Sequence, residues 1–366
     1  MEIVAEGKNF RLVPEEELPA IADVLEQYMP ESLKFHQTIQ TYLNNKVWDF
    51  HFYVAKNWPE DPVCIHFPGC TSTPNPENIF ESVTAFCPSD RAELIDLVTS
   101  EDVLLDLSQP LYLNFTHEAI VNRFEKRYEA FDKITGDVYS CDNPPEDTST
   151  EDLPPDVELL RLRPQHMKAV HELYPASDIE CREIFENLVA ELPAYGIFVE
   201  DQLAAWMVQS YYGAMFSMQT RPEFRRKGYG IYLARKLTKE VAARGYRPFV
   251  VIRPENDASR SLYTKLGFEK RFRTVRAVLR PYVTGDATVG RVQNTNYRKS
   301  PPSSRCGDPR SVLRPRSDIF QLLAFLKLSR LVYLFFELMT TKDNAIPGRS
   351  PRSHFDTVFS TAIASR

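Results

Sequence analysis

Arg221-Pro222-Glu223-Phe224-Arg225-Arg226-Lys227-Gly228-Tyr229-Gly230 is the stretch on which the reading of this chain turns. A strand pattern over Met215–Thr220 leads into it, and a helix pattern runs out of it from about Tyr229 to Ala243, closed by Arg244-Gly245. A glycine-bearing loop that opens a helix offers backbone N–H groups the helix cannot use, together with the partial positive charge of the helix start. Arg225, Arg226 and Lys227 add fixed cations, so the matching ligand is a polyanion, most simply a pyrophosphate. The segment is neither G-x-G-x-x-G nor G-x-x-x-x-G-K-[ST], so it is not a dinucleotide fingerprint or a P-loop. The plain alternative is a solvated basic turn.

Outward from the loop, the pattern is regular. Leu160–Leu162 reads as a short strand before Pro164, and Met167, Val170 and Leu173 lie at helical spacing. A second helix is expected over Asp178–Leu192. Strands follow at Tyr195–Val199 and Leu203–Ser210, joined by the tight polar turn Glu200-Asp201-Gln202. Beyond the loop helix come a strand at Phe249–Ile252, a helix at Ala258–Leu266 ending in Gly267, and a strand at Arg271–Leu279. The order is β-α-α-β-β-β-α-β-α-β, a mixed α/β sheet, with a parallel pair expected to flank the 229–243 helix.

A second constellation follows the loop: Asn256-Asp257-Ala258-Ser259-Arg260-Ser261-Leu262-Tyr263-Thr264-Lys265-Leu266-Gly267-Phe268. Taken singly, Asn256 or Asp257 reads as a helix cap and Tyr263 as a packed aromatic. Taken with R-x-x-G-x-G, this N-x-x-S-x-x-L-Y-x-K-L-G-F run resembles the GNAT superfamily of acyl-CoA-dependent N-acyltransferases, over about residues 156–281. That resemblance implies that backbone N–H groups of Arg225, Arg226, Lys227, Gly228, Tyr229 and Gly230 cradle the coenzyme A pyrophosphate. It implies that the strand edge at Met218 and Thr220 pairs with the pantetheine arm and that Asn256 lines the acyl-CoA site. Tyr263 is then the general acid to the departing thiolate. Acyl-CoA is a co-substrate, and no permanently bound cofactor or metal is expected.

The first half carries a faint echo of the second. Phe10-Arg11-Leu12-Val13-Pro14 followed by Ile21, Val24 and Leu25 parallels Leu160-Arg161-Leu162-Arg163-Pro164 followed by Met167, Val170 and Leu173. Ser32-Leu33-Lys34-Phe35 after Met29-Pro30, Asn57-Trp58-Pro59 and a strand at Val63–Phe67 look like the N-terminal domain of the glycine N-acyltransferase family. That family pairs a degenerate N-terminal half with a catalytic C-terminal half. Only Gly7, Gly69 and Gly136 precede the Pro/Asp/Glu/Ser/Thr run of 142–155, and none sits in an R-x-x-G-x-G loop. The expected architecture is a degenerate GNAT-like domain over 1–141, an acidic linker over 142–155, a catalytic GNAT domain over 156–281 and a largely irregular tail over 282–366. One departure stands out: family members often carry a glutamate after a glycine ahead of the loop, favoured as general base, whereas this chain reads Tyr212-Gly213-Ala214-Met215. Glu255, Asp257, His166 and His171 are the substitutes by position, each with a plainer reading as a surface or capping residue.

Composition bounds the rest. In 366 residues, 44 Lys+Arg against 50 Asp+Glu leave a net charge of −6, which does not fit a nucleic-acid-binding chain. The charge is uneven: residues 281–366 hold 13 Lys+Arg against 6 Asp+Glu, so the tail is basic and predicted to be disordered. Within it, 319–339 is long enough to cross a bilayer, but Lys327 and Arg330 near its middle argue against a lone span. Membrane contact through this helix is the sharper reading, and a simple extension the favoured one. Six cysteines without a C-x-x-C pair suggest a reducing compartment and no zinc site. The N-terminus has no signal pattern, so cytoplasm is the default and mitochondria enter by family resemblance. The expected partners are acyl-CoA and a small amine or amino-acid acceptor, with no nucleic acid. The alternatives are a non-catalytic acyl-CoA-binding scaffold and a GNAT enzyme acting on protein amines.

Overall fold

The computed structural model describes residues 3–67, 82–144, 153–174 and 182–282, all within one compact unit, Met1–Thr288. The 319–339 segment lies outside the described residues. The first half runs β1 (Phe10–Leu12), α1 (Leu18–Glu26), α2 (Leu33–Asn45), β2 (His51–Ala55), β3 (Cys64–Phe67), β4 (Thr84–Phe86), α3 (Asp96–Thr99), β5 (Leu111–His117), α4 (Glu118–Phe124) and β6 (Tyr128–Ser140). The second runs β7 (Val157–Arg161), α5 (Met167–Glu172), α6 (Arg182–Glu191), β8 (Ala194–Val199), β9 (Gln202–Gln209), β10 (Met215–Thr220), α7 (Tyr229–Ala243), β11 (Phe249–Ile252), α8 (Asp257–Lys265) and β12 (Glu269–Pro281). The two orders are the same, and the second is the one its sequence pattern predicts.

Each half first builds a four-stranded antiparallel sheet, β1-β2-β3-β4 and β10-β9-β8-β7. The third sheet, β11-β6-β12-β5, alternates strands from the two halves. Val251 faces Val138 across one ladder, Thr274 faces Gly136 across the next, and Val275 faces Thr116 across the last. The halves have therefore exchanged their final strands. β6 completes a sheet edge for β11, and β12 lies between β6 and β5.

This exchange corrects the expected parallel pair around α7. β10 and β11 lie in different sheets, and every ladder among the described residues is antiparallel. Two features explain it. β10 is irregular between Phe216 and Gln219, where Ser217 has a φ of 54°, and this turns the strand away. β11 meanwhile satisfies its backbone on β6. The result is an opening between β10 and β11, with no ladder on the outer edge of β10 among the described residues. β4 and β5 likewise belong to different sheets.

The cores follow the same sharing. Trp48 and Phe50 of the first half meet Tyr211 of the second at ring-centroid distances of 5.4 and 5.2 Å. Val275, Ala277 and Leu279 of β12 are buried among first-half residues. Tyr139 and Cys141 join the core under α7 and α8. An aromatic side chain buries on the order of 150–250 Å², so these contacts bind the halves hydrophobically as well as through the ladders.

Candidate active site

The site starts from the backbone of the basic loop. After Thr220, Pro222–Phe224 make one tight helical turn, and Arg225 returns to an extended conformation. Arg226 and Gly228 both have left-handed φ, 65° and 78°. Such residues curl the chain so that N–H groups face one side, which suits an anion. Arg226 bears a Cβ there, a strain of order 1 kcal/mol. Gly228 caps α7, and a Cβ built on it would meet nothing within 4 Å, so the approach to its backbone is open. Arg225, Arg226 and Lys227 are exposed; Arg225 Nε donates to the Thr220 carbonyl at 3.3 Å, and Lys227 sits 5.4 Å from the Phe224 ring centroid. Tyr229, by contrast, is buried under the helix start, which pushes its phenol up.

The loop, β10 and α8 converge at Gly230. A Cβ there would lie 3.6 Å from both Met218 Sδ and Leu262 Cδ1. At the next position of α8, Tyr263 is 3% exposed, and its hydroxyl lies 3.8 Å from the sulfurs of Met207 and Met218. Burial pushes the phenol far above its usual range, so it stays protonated. A protonated donor among thioethers at the open edge of β10 is placed to meet another sulfur. The structure thus brings together Met218, Thr220, the 225–230 loop and Tyr263.

Asn256 stands at the N-terminus of the same helix, α8. It is exposed, and its Oδ1 accepts from Ser259 N–H at 3.0 Å, capping α8. Two of the four substitute bases are occupied likewise: His166 Nδ1 accepts from Arg163 N–H at 3.1 Å, and Asp257 pairs with Arg260. Glu255 is exposed, and the His171 ring meets Phe185 edge-on at 6.1 Å. Ala214 is buried in the shared core. Among the described residues, no group of three or more His, Cys, Asp or Glu could hold a metal, and no helix is long and apolar enough to cross a membrane.

On the other face of β11 lies a narrow cavity of about 30 Å³. Phe249 and Val251 line it, whereas their neighbours Val250 and Ile252 share the core of Tyr263. Its remaining walls come from α2 and the residue Glu31 ahead of it, β4, β5, Ile120 of α4, β6, Tyr212 between β9 and β10, and β12, and they include Lys34 and His117. Lys34 was quoted in the sequence only as part of a family-like run. Glu31 and His117 carried no signal, because only the strand exchange places them against β11.

Residues 194–277, from β8 into β12, match the family model described as FR47-like protein. No curated protein matches the chain. Among solved structures, a Drosophila protein is similar at a TM-score of 0.61 and 20% identity, covering 74% of this chain and 98% of its own. A tandem GNAT protein from the clavulanic acid biosynthesis pathway gives 0.43 at 11% identity, covering 77% and 100%. A GCN5-related N-acetyltransferase-like protein from Streptococcus suis gives 0.40 at 16%, covering 72% and 99%. The likeness to the Drosophila protein is one of fold, a mixed α/β arrangement with helices flanking antiparallel sheets.

Proposed function

We propose that this protein is an acyl-CoA-dependent N-acyltransferase that acylates glycine or another small amine. The observation that carries the reading is the junction of the open β10 edge, the 225–230 loop and the Tyr263 hydroxyl within one continuous contact path. The unpaired N–H groups and cations of the loop suit a pyrophosphate. The free edge of β10 offers backbone hydrogen bonds to an extended amide-bearing arm, in the manner of an added strand.

Transfer is direct in this reading. The amine nitrogen attacks the thioester carbonyl, the C–N bond forms, and the negative charge moves to oxygen, where strand N–H groups can steady it. The intermediate collapses with cleavage of the C–S bond, and Tyr263 gives its proton to the departing sulfur. The ammonium proton of the new amide leaves to a base or to water. Holding both reactants at one opening supplies the proximity that replaces a covalent enzyme intermediate.

The absence of a carboxylate at Ala214 favours one rival, an acyl-CoA-binding protein without turnover. The deciding assay is thiol release by the full chain from acetyl-, butyryl- and benzoyl-CoA, with and without glycine. Amine-dependent release that Tyr263→Phe lowers by about 10²-fold supports the enzyme. Acyl-CoA binding without release for any amine, unchanged in Tyr263→Phe, overturns it in favour of the binding protein.

A further inference from the structure

The Tyr263 hydroxyl can protonate a departing sulfur only if that sulfur comes within hydrogen-bond reach of it. The space it would need is taken by sulfur that belongs to the protein. Tyr263 is buried, and its hydroxyl meets the Sδ atoms of Met207 and Met218, each at 3.8 Å. The Phe268 ring, also buried, closes another side, edge-on to the Tyr263 ring at a centroid distance of 5.0 Å.

The two thioethers are held differently. Met207 is fully buried on β9, opposite Tyr195 of β8, in the middle of the sheet. Its neighbours Trp206 and Val208 pair with Gln219 and Phe216 of β10, so β9 is fixed on both sides. Met218 is half-buried on β10, and the ladder to β9 passes from Phe216 to Gln219 without it. No strand lies beyond β10 among the described residues, so Met218 stands at an edge. On the loop side, its Sδ and Cε lie 3.6 and 3.8 Å from the point where Gly230 would carry a Cβ, and glycine presents no side chain there. An unbranched side chain with three rotatable bonds moves from such a place at small cost.

We propose that Met218 is a positioning residue whose thioether holds the place of the coenzyme A sulfur beside Tyr263 and swings aside when that sulfur arrives. The proposal rests on the acyltransferase reading, in which Tyr263 is the acid. One sulfur then replaces another of the same weak acceptor strength, so the phenol changes partner without facing water. Water kept from the phenol and from the thioester beside it favours attack by the amine over hydrolysis. Met218 neither gives nor takes a proton. The C–S bond still breaks with transfer of the Tyr263 proton to the departing sulfur, and Met218 acts only through the access it grants to Tyr263.

The test follows the isotope-labelled methionine methyl groups of the full chain by NMR, with Met218→Leu used only to assign the Met218 signal. The probes are coenzyme A and desulfo-coenzyme A, which keeps the pyrophosphate and the pantetheine amides but lacks the sulfur. Calorimetry reads the binding of each. Both are expected to bind, and coenzyme A is expected to shift the Met218 methyl signal more than desulfo-coenzyme A does, with the Met207 signal moving less than that of Met218. A Met218 signal that stays in place while coenzyme A binds overturns the proposal and leaves the transferase reading standing. Equal shifts with the two probes overturn the claim that sulfur takes the place of sulfur. Binding of neither probe overturns the transferase reading and the proposal together. A kinetic arm uses Met218→Ile, whose β-branch stiffens the side chain. It is expected to lower kcat for thiol release by about tenfold while changing the affinity for coenzyme A by less than about twofold. An unchanged kcat contradicts the proposal, and the methyl measurement on the unmodified protein stands whether or not this variant folds.

Discussion

The Tyr263 hydroxyl lies 3.8 Å from Met218 Sδ, joining the interior of α8 to the open edge of β10. Met218 also touches the position of Gly230, so one flexible thioether fills the space between the loop and the buried phenol.

Because the Tyr263 hydroxyl touches only two thioethers, its removal leaves no buried oxygen or nitrogen unpaired. Tyr263→Phe is therefore expected to change stability by less than about 1 kcal/mol while lowering kcat for thiol release by about 10²-fold. Urea unfolding beside steady-state kinetics checks both halves. The phenol is pushed upward by burial, so its ionisation should not cut activity until well above pH 10.

The loop prediction separates backbone from charge. Gly228→Ala places a Cβ at a φ of 78° and is expected to cost about 1 kcal/mol in urea unfolding. Arg225→Glu with Arg226→Glu, both exposed, should leave stability nearly unchanged and raise the KM for acyl-CoA at least tenfold. The difference from the unmodified protein should shrink with added salt, since these charges are screened. A loss in kcat with KM unchanged would contradict the assignment.

A third expectation concerns acid. His66 is fully buried, its ring lies 5.1 Å from those of Phe35 and Phe50, and both of its nitrogens are unpartnered. Burial, with Lys34 adding to it, holds its pKa well below the ordinary value, and His36 and His117 are lowered for the same leading reason. The unfolded chain then binds more protons than the folded one below about pH 6.5. Stability is full above that pH and falls as pH drops through it toward the folded values, by up to about 1.4 kcal/mol per pH unit for each histidine. Thermal unfolding at pH 7.5 and 5.5 should show the drop, and His66→Leu should reduce it.

The strand exchange makes a prediction about fragments. Residues 153–282 alone lack β6 and β5, which flank β12 and β11 in the intact sheet. That fragment and 1–144 are each expected to be insoluble or unfolded by circular dichroism. Co-expression should recover a folded, co-purifying pair, because the ladders between β6, β11 and β12 need no covalent link. Independent folding of 153–282 would contradict the expectation.

The local pattern of the chain carried most of its elements. Met215–Thr220, Tyr229–Ala243 and Phe249–Ile252 stand where apolar periodicity and the glycines placed them, because strand and helix periods and helix ends are written in neighbouring residues. The same local chemistry marked the basic loop and Tyr263. It marked Asn256 as well, whose capping reading matches the observed bond to Ser259. The partner of each strand is another matter. Whether β11 pairs with β10 or with β6 depends on which of two edges is nearer in space, and hydrogen bonds between strands have no signature in either strand alone. The tertiary structure decided for β6, and that choice opened the β10 edge and enclosed Glu31, Lys34 and His117 against β11. Local sequence determined the elements and the anion-binding loop, since both rest on short-range backbone physics. Only long-range packing decided the exchange and the cavity it creates, since both depend on residues more than a hundred positions apart meeting in one sheet.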